Sequence, residues 1–459
     1  YSAIFIPDID SNADGLISVD SSAFSDLAGN TNTDGADSDN SLTLSIDTLA
    51  PSIALSSDIT SLSAGDDTNL SFSLSEPSTD FSASDISVSG GSLSGFSGSG
   101  SSYSATFTPT ADSIDAGLIS IANYKFTDAF GNFNIDNPDL DNSLTLTIDT
   151  LPPSISLSSD NSSLAAGETA SITFSLSEPS TDFSASDISV SGGSLSDFSG
   201  SGSSYSATFT PDTSSDTNEV ISIASGVFAD AAGNTNADGS DSNNSVTLTV
   251  DTIRPTVAVS SDVSSLKAGE TAALTFTLSE ASTDFIESDV AVSGGSLSNW
   301  TPVSSTVYTA NFTPTDNSTA DGVISVASSK FSDAAGNNNL DGSDANNSVT
   351  ISIDTRPPTI SVAIDDGGDG RLNAVEDSSV TISGTTSGAP DGQTVAINIS
   401  SSAGGTPINT TATTSSNSYS VTGLDLSSLA DGTLSITADV SDLAGNSATQ
   451  ATDSTTKDT

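Results

Sequence analysis

Four loops in this sequence carry a recurring set of carboxylate and amide side chains whose order suits a hard metal ion. They span residues 24–40, 126–142, 228–244 and 331–347. Within each loop the order is Asp, Asn, Asn, Asp, Asp, and alternate side chains of an extended segment project to one side. Asn234, Asn236 and Asp238 are therefore expected to converge on one point. Calcium is bound by about six to eight oxygen atoms from carboxylates, amides and carbonyls, so the loops predict calcium sites. The predicted ligands are Asp26, Asn30, Asn32, Asp34, Asp37, Asp128, Asn132, Asn134, Asp136, Asp139, Asp230, Asn234, Asn236, Asp238, Asp241, Asp333, Asn337, Asn339, Asp341 and Asp344.

Turn formation offers a second interpretation of the same loops. AGN and DG segments are ordinary turn signals, and Asn and Asp side chains satisfy the backbone of a turn without any metal. Electrostatic repulsion favours the metal, because several acidic groups in one short loop repel one another unless a cation compensates them. Oxygen ligands without histidine or cysteine favour calcium or magnesium over zinc or copper.

A second acidic signal marks the ends of successive repeats. It consists of Asp47, Asp149, Asp251 and Asp354, each followed four residues later by a proline. Proline fixes φ and stiffens the short linker that contains it. A carboxylate there can share a calcium ion with the loops of the next repeat, and Glu76, Glu178 and Glu280 are possible contributors. The alternative interpretation is a solvated strand end.

The last part of the chain has an acidic cluster of its own. Counted from Asp365 as position one, Asp369 falls at position five and Glu376 at position twelve, which are ligand positions of an EF-hand loop. Gly367 replaces the ligand at position three and no flanking helices are evident. We therefore predict calcium in a sandwich loop at Asp365, Asp369 and Glu376, and not an EF-hand.

The loops recur because the chain consists of tandem repeats. The segment SLSEPSTDFSASDISVSGGSLS occupies residues 73–94 and again, unchanged, residues 175–196. These copies and a third define repeats at 49–150, 151–252 and 253–355. Residues 1–48 match the C-terminal half of a repeat; we expect the missing half to precede this segment, and a neighbouring chain is the alternative source. Residues 356–459 form a module of similar length from a different subfamily.

Short alternating strands must position the loops. In repeat 151–252 the predicted strands cover residues 154–158, 170–176, 187–190, 205–210, 220–224 and 245–250, with a weaker run at 194–198. About seven short strands in about 100 residues is typical of an immunoglobulin-like sandwich. The predicted fold class is all-β, with tandem immunoglobulin-like β-sandwich domains arranged end to end as an extended rod. The predicted core of this repeat is Ile172, Phe174, Leu176, Tyr205, Phe209, Ile221, Ile223, Phe228, Val246, Leu248 and Val250.

Composition excludes several classes of function. The chain has 459 residues with 7 Lys and Arg against 59 Asp and Glu, a formal net charge of −52. Such a field repels nucleic acid and anionic lipid. Histidine and cysteine are both absent, which removes the usual general base, zinc ligands and disulfides. Acidity and few aromatic residues are also typical of disorder, but the alternation and the repeats argue against it.

The strings SEPSTDF, GGSLS and YSATFTP, in fixed order within the repeat, resemble bacterial Ig-like repeats of large secreted adhesins of the RTX class over residues 1–355. Residues 356–459, with LNAVEDSSVTISGTTSG, resemble repeats of biofilm-associated-protein-like adhesins. The resemblance implies extender domains, type I secretion to the bacterial cell surface, and calcium at Asp149, Asp251, Asp354 and the loops. The nonapeptide array GGxGxD and a ligand-binding tip of full adhesins are not seen in this segment.

The expected function is a structural spacer in an extracellular adhesin, stiffened by calcium, whose partners are calcium and neighbouring domains of one longer chain. A self-assembling filament or surface layer, with residues 1–48 completed by another subunit, is the first alternative. A carbohydrate-binding module is the second, but it needs an aromatic platform and the only tryptophan is Trp300. The acids recur at equal positions in every repeat, which suits a structural role and not one glycosidase active site. We expect no enzyme activity.

Overall fold

The computed structural model describes residues 1–34, 37–136, 141–238, 241–341 and 344–459. The chain divides into two compact units, one of residues 1–162, 169–211 and 218–249, the other of residues 163–168, 212–217 and 250–459. Within these described ranges the regular structure is β-strand with short 3₁₀ turns, so the all-β prediction is confirmed. No helix in the described part is long and apolar enough to span a bilayer.

Residues 1–48 contain one strand pair in the first unit. Strand β1 (Gly15–Ser18) pairs antiparallel with β2 (Ser41–Leu44), with Gly15 opposite Leu44. A two-stranded ribbon leaves its apolar face uncovered. Phe24 is accordingly 62% exposed, whereas Phe126, at the same place in the next repeat, is fully buried.

Repeat 49–150 is a sandwich of two sheets. Its strands are β3 (Ile53–Ser57), β4 (Ser61–Leu62), β5 (Thr68–Ser78), β6 (Ile86–Ser89), β7 (Gly91–Pro109), β8 (Gly117–Ile121) and β9 (Ser143–Ile148), with a 3₁₀ turn at Ala83–Asp85. One sheet has the order β3-β5-β7 and the other β4-β9-β8-β6. Side chains of β5 alternate between buried and exposed, as a strand with one face on a core requires. Phe72, Phe107 and Phe126 fill that core.

Repeat 151–252 has the same series of strands. They are β10 (Ile155–Ser159), β11 (Ser163–Leu164), β12 (Ala170–Ser180), β13 (Ile188–Val190), β14 (Gly193–Pro211), β15 (Glu219–Ile223) and β16 (Ser245–Val250), with a 3₁₀ turn at Ala185–Asp187. In the first unit β12 pairs with β10 and β14, and β15 pairs with β13 and β16. Every predicted core residue is buried except Val246, which is half-buried.

Repeat 253–355 lies in the second unit. Its strands are β17 (Val257–Ser261), β18 (Ser265–Lys267), β19 (Ala272–Leu278), β20 (Val290–Ser293), β21 (Gly295–Pro302), β22 (Val307–Pro314), β23 (Gly322–Val326) and β24 (Ser348–Asp354), with 3₁₀ turns at Glu287–Asp289 and Ala345–Asn347. The sheet orders are β17-β19-β22-β21 and β18-β24-β23-β20. Trp300 packs against Phe276 and Phe285, with ring centroids 5.2 and 5.3 Å away, so this tryptophan belongs to the core.

The last module, 356–459, also forms two sheets. Its strands are β25 (Thr359–Ile360), β26 (Ala363–Ile364), β27 (Arg371–Leu372), β28 (Val380–Ser387), β29 (Thr394–Ser401), β30 (Ile408–Thr413), β31 (Ser418–Leu424), β32 (Gly432–Asp439) and β33 (Ala451–Lys457). One sheet is formed by β25, β28, β26 and β31, and the other has the order β27-β33-β32-β29-β30. Its core holds Leu372, Ile382 and Ile436.

Candidate metal centres

Three groups of carboxylates meet where one repeat ends and the next begins. We name them the first boundary (Asp47, Glu76, Asp128), the second boundary (Asp149, Glu178, Asp230) and the third boundary (Asp251, Glu280, Asp333). Within each group, one oxygen of each carboxylate lies within 4.8 Å of the others. Two oxygens on one calcium ion, at about 2.4 Å each, lie at most about 4.8 Å apart. Each group therefore has the spacing of a shared calcium shell.

The fold fixes the three carboxylates of a boundary from three different elements. At the second boundary, Asp149 follows β9 at the end of one repeat. Glu178 lies in the long strand β12 of the next repeat, and Asp230 lies in the loop after Phe228. Because the first acid belongs to one repeat and the other two to its neighbour, an ion bound there would join the two repeats.

Hydrogen bonds hold the loop aspartate in place. Asp230 Oδ1 accepts from the backbone N–H groups of Ala232 and Asn234 at 2.8 and 2.9 Å. Its Oδ2 accepts from Asn234 Nδ2 at 2.9 Å. The first and third boundaries repeat this turn around Asp128 and Asp333. Hydrogen bonds within the Asp-x-x-Gly-Asn segment thus fix the side-chain conformation of its aspartate.

The asparagine of this turn also ties two repeats together. Asn234 Nδ2 donates to the carbonyl of Asp149 at 2.9 Å, and Asn234 Oδ1 accepts from the N–H of Ala64 at 2.7 Å. At the third boundary Asn337 makes the corresponding contacts with Asp251 and Ala166, at 2.9 and 2.6 Å. These asparagines are buried, so the direct contact between repeats is specific.

Burial and the repulsion of neighbouring carboxylates raise the pKa of the boundary glutamates. Burial, followed by the charges of Asp47 and Asp128, raises the pKa of Glu76. The pKa of Glu280 rises to about 7 through burial and the charges of Asp251 and Asp333. The ion pairs found in the described ranges are Lys267–Glu270, Arg371–Asp458 and Lys457–Asp377, none of which involves a boundary acid. Like charges in each cluster therefore repel one another without a basic side chain of the described ranges paired to them.

Burial also raises the pKa of Glu178 and Asp251, with neighbouring aspartates adding to the effect. For Asp128, burial acts in the same direction, but hydrogen bonds from Asn132 and the loop N–H groups outweigh it and lower the pKa. At the first boundary Asp128 is thus stabilised as an anion while Glu76 is destabilised as one. The chemistry of the donor set fits a hard divalent cation.

The later loop residues Asn236 and Asp238 make hydrogen bonds to the backbone of their own repeat. Asn236 Oδ1 accepts from the N–H of Val227 and of Phe228 at 2.8 and 3.2 Å, and its Nδ2 donates to Asp238. Asp238 Oδ1 accepts from the N–H of Ile155 at 2.7 Å. The structure thus brings Asn236 and Asp238 together, whereas Asn234 bonds Asp149, Asp230 and Ala64, and calcium at these residues stays a prediction. Asn134, Asp136, Asn339 and Asp341 are bonded in the same way.

The other predicted ligands within the described residues belong to none of the three clusters. Asp37, Asp241 and Asp344 are exposed, and Asp139 lies outside the described residues. Asp26 binds the backbone of its own turn and Asn32 that of Phe24. Asp365, Asp369 and Glu376 each accept a hydrogen bond from a nearby backbone N–H, and no three-carboxylate group within the described ranges contains them. Asp354, Asn30 and Asp34 are likewise outside such a group.

Two features of the boundaries were not among the ligands predicted from the sequence. Glu76, Glu178 and Glu280 had been considered only as possible contributors, yet the structure places them inside the clusters. The contact from Ala64, Ala166 and Ala268 to the next repeat was not predicted. Its sequence signal is the Ala-Gly pair that occupies the same place in all three repeats.

Comparison with known proteins agrees with this architecture. The family model described as "Bacterial Ig-like domain" matches residues 47–148, 149–247 and 251–353. None of the curated proteins matches the chain significantly.

Among solved structures, the tetra-tandem repeat in the extending region of a large adhesion protein is 19% identical, with a TM-score of 0.32, and covers 89% of this chain and 100% of that one. Invasin, a bacterial integrin-binding protein, is 12% identical, with a TM-score of 0.31 and coverages of 88% and 79%. The Escherichia coli adhesin FdeC is 17% identical, with a TM-score of 0.28 and coverages of 66% and 96%. The family model covers more than half of the sequence, and the chain belongs to the bacterial Ig-like domain family.

Proposed function

We propose that this array of bacterial Ig-like domains is a non-catalytic spacer of a bacterial surface adhesin, and that calcium at its first three boundaries stiffens it. The observation that carries the proposal is the recurrence of one Asp–Glu–Asp cluster at successive boundaries. A substrate site would have no reason to recur at three successive boundaries, whereas a mechanical joint would.

An ion at a boundary would stiffen the joint because its ligands belong to two different repeats. Asp149 belongs to one repeat, and Glu178 and Asp230 belong to the next. Without a cation their mutual repulsion opposes the contact that Asn234 makes across the boundary. A calcium ion reverses the sign of that interaction, because each carboxylate is then attracted to a common centre. Weak sites suffice outside the cell, where calcium-binding modules work at about 10⁻⁴–10⁻³ M.

The surfaces of the repeats support a spacer more than a binding module. Outward positions of the long strands are mostly Ser and Thr, as in β12. Trp300, the residue on which a carbohydrate platform would depend, packs into the core of its repeat. The chain also carries a net charge of −52, which favours extension and solubility over non-specific association.

Calcium titration of the full chain and small-angle scattering test the proposal together. We expect three calcium ions per chain, one for each cluster, and a larger spread of conformations in EDTA than in calcium. The variant E76Q/E178Q/E280Q should bind less calcium and scatter alike in both buffers. E287Q is the control, since Glu287 is an exposed glutamate that belongs to none of the clusters. Identical scattering of the unmodified chain with and without EDTA would refute the proposal.

A further inference from the structure

The boundary between repeat 253–355 and module 356–459, which we name the fourth boundary, keeps the hydrogen-bonded joint of the second and third boundaries. Asn446 Nδ2 donates to the carbonyl of Asp354 at 2.9 Å, and Asn446 Oδ1 accepts from the N–H of Ala268 at 2.8 Å. Asp442 accepts from the Asn446 N–H at 2.8 Å and from its Nδ2 at 2.7 Å. Asp354 and Asp442 therefore stand where Asp149 and Asp230 stand at the second boundary.

The third carboxylate is missing at the fourth boundary. In repeat 49–150, Ile53 pairs with Leu74, and Glu76 follows two residues later. In the last module Ile360 pairs with Thr386, and two residues later comes Gly388. Gly388 has φ +83° and lies against Pro358: a Cβ placed on Gly388 would be 3.4 Å from the Cα of Pro358. A glutamate is therefore replaced by a residue that has no side chain and whose backbone disfavours one.

A lysine is added at the same boundary. Lys267 occupies the place of Ser63 and Ala165 in the other repeats. In the parallel pairing of β18 with β24 it lies opposite Asp354. Its ammonium is 4.0 Å from Glu270 Oε1, and it lies 3.4 Å from where a Cβ on Gly445 would be. It thus rests against the turn that holds Asp442.

One groove connects these groups. It is lined by Lys267, Glu270, Asp354 and Ala444, together with Ser265 and Ser352. Arg356, two residues after Asp354, donates its backbone N–H to that carboxylate at 3.2 Å. Relative to the second boundary, a glutamate is lost, Lys267 replaces Ser63 and Arg356 replaces Leu151, so the local charge changes by three units. The electrostatic demand for a divalent cation falls accordingly.

We infer that the fourth boundary is held without a divalent cation, with the Lys267 ammonium as its built-in counter-charge. The inference rests on the proposed function of the first three boundaries. It makes the calcium dependence of the array uneven, since removal of calcium loosens three joints and leaves the fourth closed. The last module and the repeat before it then keep their mutual contact at any calcium concentration.

Distance measurements between spin labels test this directly, because the chain has no cysteine of its own. One full-length chain carries S94C/S196C, two exposed serines on either side of the second boundary. Another carries S298C/T411C, exposed residues on either side of the fourth boundary. We expect EDTA to broaden the distance distribution of the first pair and to leave that of the second unchanged.

The role of the lysine is tested in the S298C/T411C chain. K267S, which installs the residue found at Ser63, should make the distance distribution of this pair broaden in EDTA. K267R retains the charge and should leave the distribution narrow, which separates loss of the counter-charge from damage to the fold. Broadening of both pairs in the unmodified chain, or no response to K267S, would overturn the inference while leaving the proposed function intact. If EDTA broadens neither pair, the proposed function fails, and the inference fails with it.

Discussion

Removal of Asp377 should destabilise the last module far more than removal of an exposed acid. Lys457 Nζ lies 3.1 Å from Asp377 Oδ2, and the two side chains are 2% and 7% exposed. The ammonium also donates to the carbonyls of Leu426, Ser427 and Leu429 at 3.0, 3.2 and 2.8 Å. In D377A this buried charge keeps its carbonyls but loses its counter-ion, which costs about 3–5 kcal/mol.

Hydrogen exchange measured by mass spectrometry on the full chain resolves this effect in one module. Amides of β32 and β33 that exchange only when the module opens should exchange roughly two to four orders of magnitude faster in D377A, at about 1.4 kcal/mol per factor of ten. D458A is the matched control, because the Arg371–Asp458 pair at 3.3 Å is 63% and 71% exposed. An exposed pair contributes at most about 1 kcal/mol.

The double variant K457I/D377A completes the test. It removes both charges and places at 457 the kind of residue found at Ile148, so most of the lost protection should return. If D377A accelerates exchange no more than D458A does, the buried pair does not stabilise the module. If the double variant is as unstable as D377A, removal of the unpaired ammonium restores no stability, and the explanation by loss of the counter-ion is refuted.

Three further predictions concern the joints and cores. N234A should broaden the S94C/S196C distance distribution even in calcium, because the buried amide joins two repeats; N409A, at an exposed asparagine, should not. In EDTA the thermal midpoint of repeat 253–355, followed by the fluorescence of its single tryptophan, should fall as the pH rises from about 4.5 towards 7. The pKa of Glu280 is raised to about 7 in the folded repeat, so the stability that its protonation adds is complete below the pKa of the unfolded chain and is lost as the pH approaches 7. E280Q should flatten this dependence. Y205F removes a 3.0 Å hydrogen bond from a buried hydroxyl to a strand carbonyl and should cost about 1 kcal/mol by hydrogen exchange, against no change for Y124F at an exposed tyrosine.

Period-two alternation was enough to predict the strands and core of a repeat. Phe174, Phe209 and Ile223 were predicted to be buried and are fully buried. The predicted runs 194–198 and 205–210 form a single element, β14, which extends through Gly200 and Gly202. In repeat 253–355 the same region is two paired strands, β21 and β22. Alternation fixes which side chains face the core, but the turn geometry decides where a strand is interrupted.

The acidic groups could be located in the sequence, but their partners could not be assigned. Asp238 binds the N–H of Ile155, which is 83 residues away. The pattern Asn-x-Asn-x-Asp gives no sign that the distant N–H of Ile155 will bind Asp238. The local alternation alone therefore suggested that the three side chains converge on a metal. The cluster at the second boundary draws on positions 149, 178 and 230, which only the closed sandwich brings together. Local spacing therefore identified the donor types, and long-range topology selected which of them meet.

Two lysines of the C-terminal part of the chain, Lys267 and Lys457, each place a positive charge where the equivalent position of another repeat has none. The register that places Ile148 beside Leu62 places Lys457 beside Leu372, so an apolar core position has become an ammonium held by one carboxylate and three carbonyls. Lys267 makes a similar substitution at the surface of the fourth boundary. A covalently attached ammonium is present at any calcium concentration, whereas the proposed ion of an Asp–Glu–Asp cluster must be supplied from solution. In a chain with only 7 Lys and Arg among 459 residues, these two positions support the inference that the fourth boundary is held by a side-chain cation and needs no bound metal ion.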